Sequence, residues 1–263
     1  MSKIIRDPVH DLVRIDDEYA LRLIDSRPMQ RLRRIRQLGM ASLVYPGAEH
    51  SRFTHSLGVY HLTGVAMNYL NRIRQPAEHL PFFNPAQERF VRLAALAHDL
   101  GHGPFSHLFE SVMEDWLTGT EFQSHEDWTV RILEEHPEVR QIIEAAEEDT
   151  GEPILGHMKD IFQGVYTPRY VMDLISSQLD MDRFDYLLRD SLMTGAKYGA
   201  FDLAWMFRVL KIGRVELTEG VQHPDAASEL VLAVDGKRGF CSLEQYLLGR
   251  HYMYRNVYYH KTV

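Results

Sequence analysis

The stretch Leu93-Ala94-Ala95-Leu96-Ala97-His98-Asp99-Leu100-Gly101-His102-Gly103-Pro104-Phe105-Ser106-His107 is the most informative in this chain. Its first half is an apolar helix former. Its second half cannot stay helical, because Gly101, Gly103 and Pro104 favour turn geometry. His98 and Asp99 therefore stand at a helix C-terminus, beside chain that opens towards a cleft. Together they offer one nitrogen and one oxygen donor. Mixed ligation of this kind suits Mn²⁺, Fe²⁺ or Zn²⁺ better than Ca²⁺, and can admit Mg²⁺ at a second, wetter position. A lone His-Asp dipeptide is most often structural. Here the surrounding glycines and two further histidines, His102 and His107, make it a candidate metal site.

Working outward, helical periodicity dominates. Apolar residues such as Met29, Leu32 and Ile35 recur at helical spacing from Asp17 to a stop at Gly39. Further helical patterns run over about 56–74, 86–100, 125–146, 168–190 and 242–259. Residues 3–15 read as extended, with Pro8 excluding a helix. Between 211 and 239, Val215-Glu216-Leu217 and Leu230-Val231-Leu232-Ala233-Val234, followed by Asp235-Gly236, predict a small β-ribbon. The expected architecture is a mostly α domain spanning 1–263 with this minor β element.

At 263 residues and 45% hydrophobic content, the chain can bury a full core. The formal net charge of -8 argues against bulk wrapping of a nucleic-acid backbone, while free nucleotides remain open as ligands. The single cysteine, Cys241, excludes an internal disulfide framework. No N-terminal apolar run resembles a signal peptide or membrane span, so a cytoplasmic location without membrane partners is expected. The chain ends on a helical pattern crowded with Tyr252, Tyr254, Tyr258 and Tyr259. Such a cluster packs on something, which makes truncation or docking to another subunit the two readings.

Further metal ligands have to come from elsewhere. His55, in Arg52-Phe53-Thr54-His55-Ser56-Leu57-Gly58, opens a helical pattern. In Asp180-Met181-Asp182-Arg183-Phe184-Asp185-Tyr186-Leu187-Leu188-Arg189-Asp190, residues Asp182, Tyr186 and Asp190 fall at i, i+4 and i+8 on one helical face. That polar stripe reads equally as a solvated face or as a functional one.

Residues 52–57, 98–107 and 182–190 resemble the HD-domain dNTP triphosphohydrolase family. The similarity begins at Asp7-Pro8-Val9-His10, runs through Gln30-Arg31-Leu32-Arg33 and Gln37-Leu38-Gly39, and reaches Tyr258-Tyr259-His260-Lys261. It implies an HD helical bundle, with the C-terminal lobe usual in the family absent. It also implies a divalent metal on His55, His98, Asp99 and Asp182, with His107 as catalytic histidine and His125 beside it. Water would attack the α-phosphorus and His107 would protonate the departing triphosphate, giving a deoxynucleoside and inorganic triphosphate. Glu110 stands where the family has an aspartate that orients the catalytic histidine.

The substrate contacts implied by the resemblance are Gln37, Leu38, Arg52, His102, Arg183, Tyr186, Asp190, Arg250 and Tyr258. Arg52 and Arg183 would hold phosphate, the latter where lysine is frequent. Gln37 and Asp190 would bond the 3′-hydroxyl. Tyr186 would press on the 2′ edge and favour deoxyribose. Tyr254 lies between Arg250 and Tyr258 on the same face, where a core helix is the competing reading. Lys3, Asp25, Gln30 and Arg33 match a family site for an activating GTP or dGTP, coupled to assembly of a dimer or tetramer; Arg6 replaces a family asparagine there. The competing functions are an HD enzyme for a nucleoside monophosphate or cyclic nucleotide, and a nucleotide- or nucleic-acid-binding module without turnover.

Overall fold

The structure, a computed structural model, describes residues 2–72, 83–105, 107–116, 124–216 and 228–260, with only the backbone of His107. Among these residues it contains twelve helices and two small antiparallel two-stranded sheets, so the mostly α expectation holds.

The extended opening segment is a ribbon of its own. Strand β1 (Lys3–Asp7) pairs with β2 (Asp11–Ile15) in a register that sets Lys3 opposite Ile15 and Asp7 opposite Asp11. Its turn closes on one side chain: Asp7 Oδ1 accepts the backbone N–H groups of Val9 and His10 at 2.9 and 3.0 Å. Helix α1 (Glu18–Asp25) follows, capped by Asp17, whose carboxylate accepts from Ala20 N. The helical spacing continues to Gly39, but the helix does not. The chain breaks at Ser26, restarts as α2 (Arg27–Arg31) with Pro28 in its first turn, and tightens to a 3₁₀ turn over Leu32–Arg34.

Helix α3 (Arg52–Arg72) is the hub. Buried residues occur all round it, including His55, Tyr60, Thr63 and Met67, which marks a helix enclosed by others. It packs against α4 (Pro85–Ala97) and α10 (Met181–Thr194). Helix α4 begins with a capping box between Asn84 and Gln87, and its C-cap is His98. Helix α5 (His107–Trp116) starts just beyond the glycine-rich turn.

Two long helical expectations resolve into shorter pieces. The 125–146 pattern is α6 (His125–Glu135) and α7 (Pro137–Thr150), because Pro137 cannot donate to the preceding turn and instead opens a new helix. The 168–190 pattern is a short α9 (Arg169–Met172), a turn, and then α10, whose N-cap Asp180 accepts from Arg183 N. Helix α8 (Ile154–Phe162) lies between them and packs on α4 and α7.

Helix α11 (Leu203–Val209) leads into the expected ribbon, where β3 (Leu210–Glu216) pairs with β4 (Ser228–Val234). Leu217, assigned to that ribbon from sequence, lies outside the described residues. Helix α12 (Phe240–Met253) runs into a π-type turn over Tyr254–Tyr258. Of the terminal tyrosines, Tyr258 is half-buried against the core, whereas Tyr252 and Tyr259 are exposed. No helix among the described residues is long and apolar enough to cross a membrane.

Candidate metal centre and catalytic cleft

Three helix ends converge on one point. The first turn of α3 supplies Arg52 and His55, the end of α4 supplies His98 and Asp99, and the first turn of α10 supplies Asp182 and Arg183. His55 Nε2 lies 2.8 Å from Asp182 Oδ1 and 3.2 Å from His98 Nε2. His98 Nε2 is 3.4 Å from Asp99 Oδ1 and 3.7 Å from Asp182 Oδ1. Donors roughly 2.1 Å from a shared ion sit about 3.0–3.4 Å apart in octahedral or tetrahedral arrangements. His55, His98 and Asp182 therefore form a compact donor cluster, whereas Asp99 sits at its edge: its Oδ2 is 3.8 Å from His55 Nε2 and accepts from Arg52 Nη1 at 2.7 Å.

The outer edges of the two imidazoles fix where their lone pairs point. His98 Nδ1 is 2.8 Å from the Ala95 carbonyl oxygen, which can only accept, so that nitrogen carries the proton. His55 Nδ1 is 2.7 Å from Asp185 Oδ2, a carboxylate held well below its usual range: burial opposes its charge, but Arg189, His10 and His55 outweigh that. In the neutral rings both Nε2 lone pairs face each other across 3.2 Å, an arrangement that only a shared cation or added protons can satisfy. The field favours positive charge. Burial works against the His55 imidazolium, yet the hydrogen bonds it donates to Asp182 and Asp185 carry it up to about 10. His98 is raised in the same way by Asp99 and Asp182. The residues fit a divalent metal.

This centre opens into a cleft of about 320 Å³. Of the residues expected to touch substrate, Gln37, Arg52, His102, Arg183 and Tyr186 line it. A backbone hydrogen bond from Gln37 N to His50 O holds Gln37 beside the start of α3. Its buried Oε1 has no hydrogen-bond partner among the described residues, while the Tyr186 hydroxyl lies among Arg183, Arg250 and Tyr254. Arg183 Nε donates to Ser177 O at 2.7 Å and lies 3.2 Å from Asp180 Oδ2. Leu38, Asp190, Arg250 and Tyr258 do not line the cleft. Leu38 packs on the core. Asp190 accepts from His50 Nε2 at 2.7 Å and from the Tyr258 hydroxyl at 2.8 Å, so it braces the wall behind Tyr186. Arg250 lies over the Tyr254 ring and reaches Gln178.

His125, at the start of α6, also lines the cleft. Its Nδ1 is 2.7 Å from Glu110 Oε1, and its ring stacks on His102 with centroids 3.9 Å apart and planes 16° apart. Glu110, expected to orient His107, thus contacts His125. The His107 side chain lies outside the described structure. Burial is the main cause that pushes His102 down to about 4, so it is a neutral ring. Burial opposes the His125 charge, but Glu126 and Glu110 raise it overall. His102, Glu110 and His125 form a second donor cluster. Parallel stacked rings cannot both aim in-plane lone pairs at one ion, and the direct His125–Glu110 contact identifies a histidine–carboxylate pair.

One close approach and one side chain hold α6 to the centre. A Cβ on Gly101 would meet His125 O at 2.1 Å and Thr129 N at 2.5 Å, so only glycine lets α6 pack against the turn after Asp99. Thr129 Oγ1 then accepts from Gly101 N and donates to His98 O. The candidate effector residues form two pairs: Lys3 with Asp25 at 3.8 Å, and Arg33 Nε donating to Gln30 Oε1 at 2.7 Å. The sequence reading gave no site role to Asp7, His10, Asp185 or Arg189. Asp7 and His10 could have been noticed in the Asp7-Pro8-Val9-His10 run.

Comparison with known proteins identifies the family. The HD domain family model matches residues 52–190, a span containing all four candidate ligands. The chain is 36% identical over 98% of its length to an uncharacterized protein of Bacillus subtilis, covering 52% of that protein. It is 38% identical over 74% of its length to the deoxynucleoside triphosphate triphosphohydrolase SAMHD1 homolog of Dictyostelium discoideum, covering 37% of it. Among solved structures, a phosphohydrolase from Bacteroides thetaiotaomicron superposes with a TM-score of 0.75 at 34% identity, over all of this chain and 55% of that one. This chain thus spans about half the length, or less, of these proteins. With the ligand-bearing span matched and the fold shared, the chain belongs to the HD-domain family.

Proposed function

We propose that this chain is a metal-dependent deoxynucleoside triphosphate triphosphohydrolase. The observation that carries the metal chemistry is the pair of opposed Nε2 atoms of His55 and His98, flanked by Asp182 and Asp99 and open to a cleft with two arginines. A divalent ion bound there, Fe²⁺, Mn²⁺ or Zn²⁺ by its donor set, supplies Lewis-acid polarisation of a phosphate and activation of water, with Mg²⁺ suited to a second position.

The chain's own residues do the rest. Arg52 and Arg183 offer guanidinium donors to phosphate oxygens. Gln37 Oε1, without a hydrogen-bond partner among the described residues, suits a sugar hydroxyl, and Tyr186 lines the cleft beside it. Release of a deoxynucleoside and inorganic triphosphate requires the bond between the α-phosphorus and O5′ to break. The leaving group is the deoxynucleoside, so the proton is needed on O5′ and not on the triphosphate, a correction to the expected role of His107. His125, raised by Glu126 and Glu110 against burial, can hold that proton beside the cleft, with His107 at the adjacent start of α5. An activating guanine nucleotide at Lys3, Asp25, Gln30 and Arg33, linked to homo-oligomer assembly, belongs to the same reading.

The test is to incubate the purified chain with each dNTP, with and without GTP, in Mg²⁺, Mn²⁺ or Fe²⁺, and to identify products by mass. Deoxynucleoside with inorganic triphosphate is the expected outcome. Orthophosphate or pyrophosphate release points to another phosphate-ester chemistry, and no turnover under any metal points to a binding module.

A further inference from the structure

Behind the metal-facing edge of His55 lies a chain of buried charges that the hydrolytic chemistry does not itself use. Asp185 is fully buried. Its Oδ2 accepts from His55 Nδ1 at 2.7 Å and from Arg189 Nε at 2.8 Å, and its Oδ1 accepts from Arg189 Nη2 at 2.9 Å and faces His10 Nε2 at 2.5 Å. Arg189, also fully buried, turns its outer edge to Asp7, with Nη1 to Oδ2 at 2.9 Å and Nη2 to Oδ1 at 3.2 Å. Asp7 is the residue around which the β1–β2 turn closes. Gly58, one turn along α3 from His55, leaves the space: a Cβ there would fall 1.8 Å from Asp185 Oδ1 and 2.6 Å from Arg189 Nη2.

Stability alone does not account for this cluster. Removing several charges from water costs more than their attraction reliably returns, and apolar side chains of similar volume hold such a core at least as well. What apolar packing cannot do is fix a proton on one imidazole nitrogen. A carboxylate gripped by a planar guanidinium stays ionised and cannot swing, so the His55 ring plane and its Nδ1 proton are both set. His98 obtains the same service from Ala95 within its own helix. His55 obtains it from α10, and through Arg189 from the N-terminal ribbon.

We propose that Asp185, clamped by Arg189, Asp7 and His10, is the positioning group that fixes the tautomer and orientation of His55, making the β1–β2 ribbon an outer support of the metal centre. This rests on the metal-centre reading above. Partners of this kind behind a metal-bound histidine change metal affinity by roughly 10- to 100-fold.

The experiment uses the full chain labelled with ¹⁵N-histidine and loaded with Zn²⁺, comparing wild type, Asp185→Asn and Asp7→Asn. Zn²⁺ affinity is read by chelator competition, the His55 Nδ1–H by ¹⁵N–¹H correlation, and folding by circular dichroism. The expected result is a slowly exchanging Nδ1–H in wild type. In Asp185→Asn that signal is lost and Zn²⁺ binds at least 10-fold more weakly in a folded chain; Asp7→Asn shows a smaller loss of affinity and faster proton exchange. Wild-type affinity with an unchanged His55 signal in both folded variants overturns this inference alone. If Asp185→Asn does not fold, Asp7→Asn decides by the same two readings. A wild-type chain that holds no Zn²⁺ overturns both this inference and the metal-centre reading.

Discussion

The Nε2 atoms of His55 and His98 lie 3.2 Å apart, although each ring has already committed its Nδ1 proton to a different acceptor. Two lone pairs at that distance repel unless positive charge lies between them. Asp99, next to His98 at the end of α4, and Asp182, from the start of α10, are the other candidate donors. The centre therefore depends on tertiary packing of α3, α4 and α10.

Removing one of those donors separates binding from proton transfer. His98→Ala is expected to abolish metal retention after gel filtration, as read by elemental analysis. His107→Ala and His125→Gln are expected to keep the metal, with His125→Gln losing roughly 10²–10⁴-fold in turnover. Equal metal loss in all three variants refutes this division of roles.

Gly58 is where α3 makes room for the buried charges. Gly58→Ala is expected to cost about 3 kcal/mol in urea unfolding, because its methyl group forces Asp185 and Arg189 apart. A variant as stable as wild type would show that the close approach is not needed.

The sequence carried the local half of this site. His98 and Asp99 were legible because an apolar helix, two glycines and a proline lie within one short run. The charges behind His55 were not, because Asp7 meets Arg189, and His10 meets Asp185, only after the ribbon folds onto α10. Helix breaks were lost for a related reason: apolar spacing continues smoothly past Pro137 and Asp180, while capping and proline geometry restart the helix. The family resemblance implies Asp190 at the 3′-hydroxyl; eight residues along the face from Asp182, it accepts from His50 and Tyr258.

Thr129 fastens α6 to the turn that carries the candidate ligands His98 and Asp99, through Gly101 N and His98 O. Thr129→Val keeps the shape and leaves both backbone groups without that partner, at an expected cost of about 1–3 kcal/mol. Chemical denaturation measures it. A neutral substitution would show that the hydroxyl adds nothing to the fit between α6 and this turn.

Arg183 lines the cleft, where its guanidinium is held by Ser177 O and Asp180 rather than by the candidate metal donors. Arg183→Ala is expected to raise KM for a dNTP by roughly 10- to 100-fold at unchanged metal content. An unchanged KM removes Arg183 from the phosphate-binding role.

The most direct test follows hydrolysis of a dNTP in H₂¹⁸O by ³¹P NMR and mass spectrometry. Attack at the α-phosphorus places ¹⁸O in inorganic triphosphate and leaves the deoxynucleoside unlabelled, which is the predicted result. Orthophosphate or pyrophosphate as the released product, or ¹⁸O in the deoxynucleoside, would contradict it.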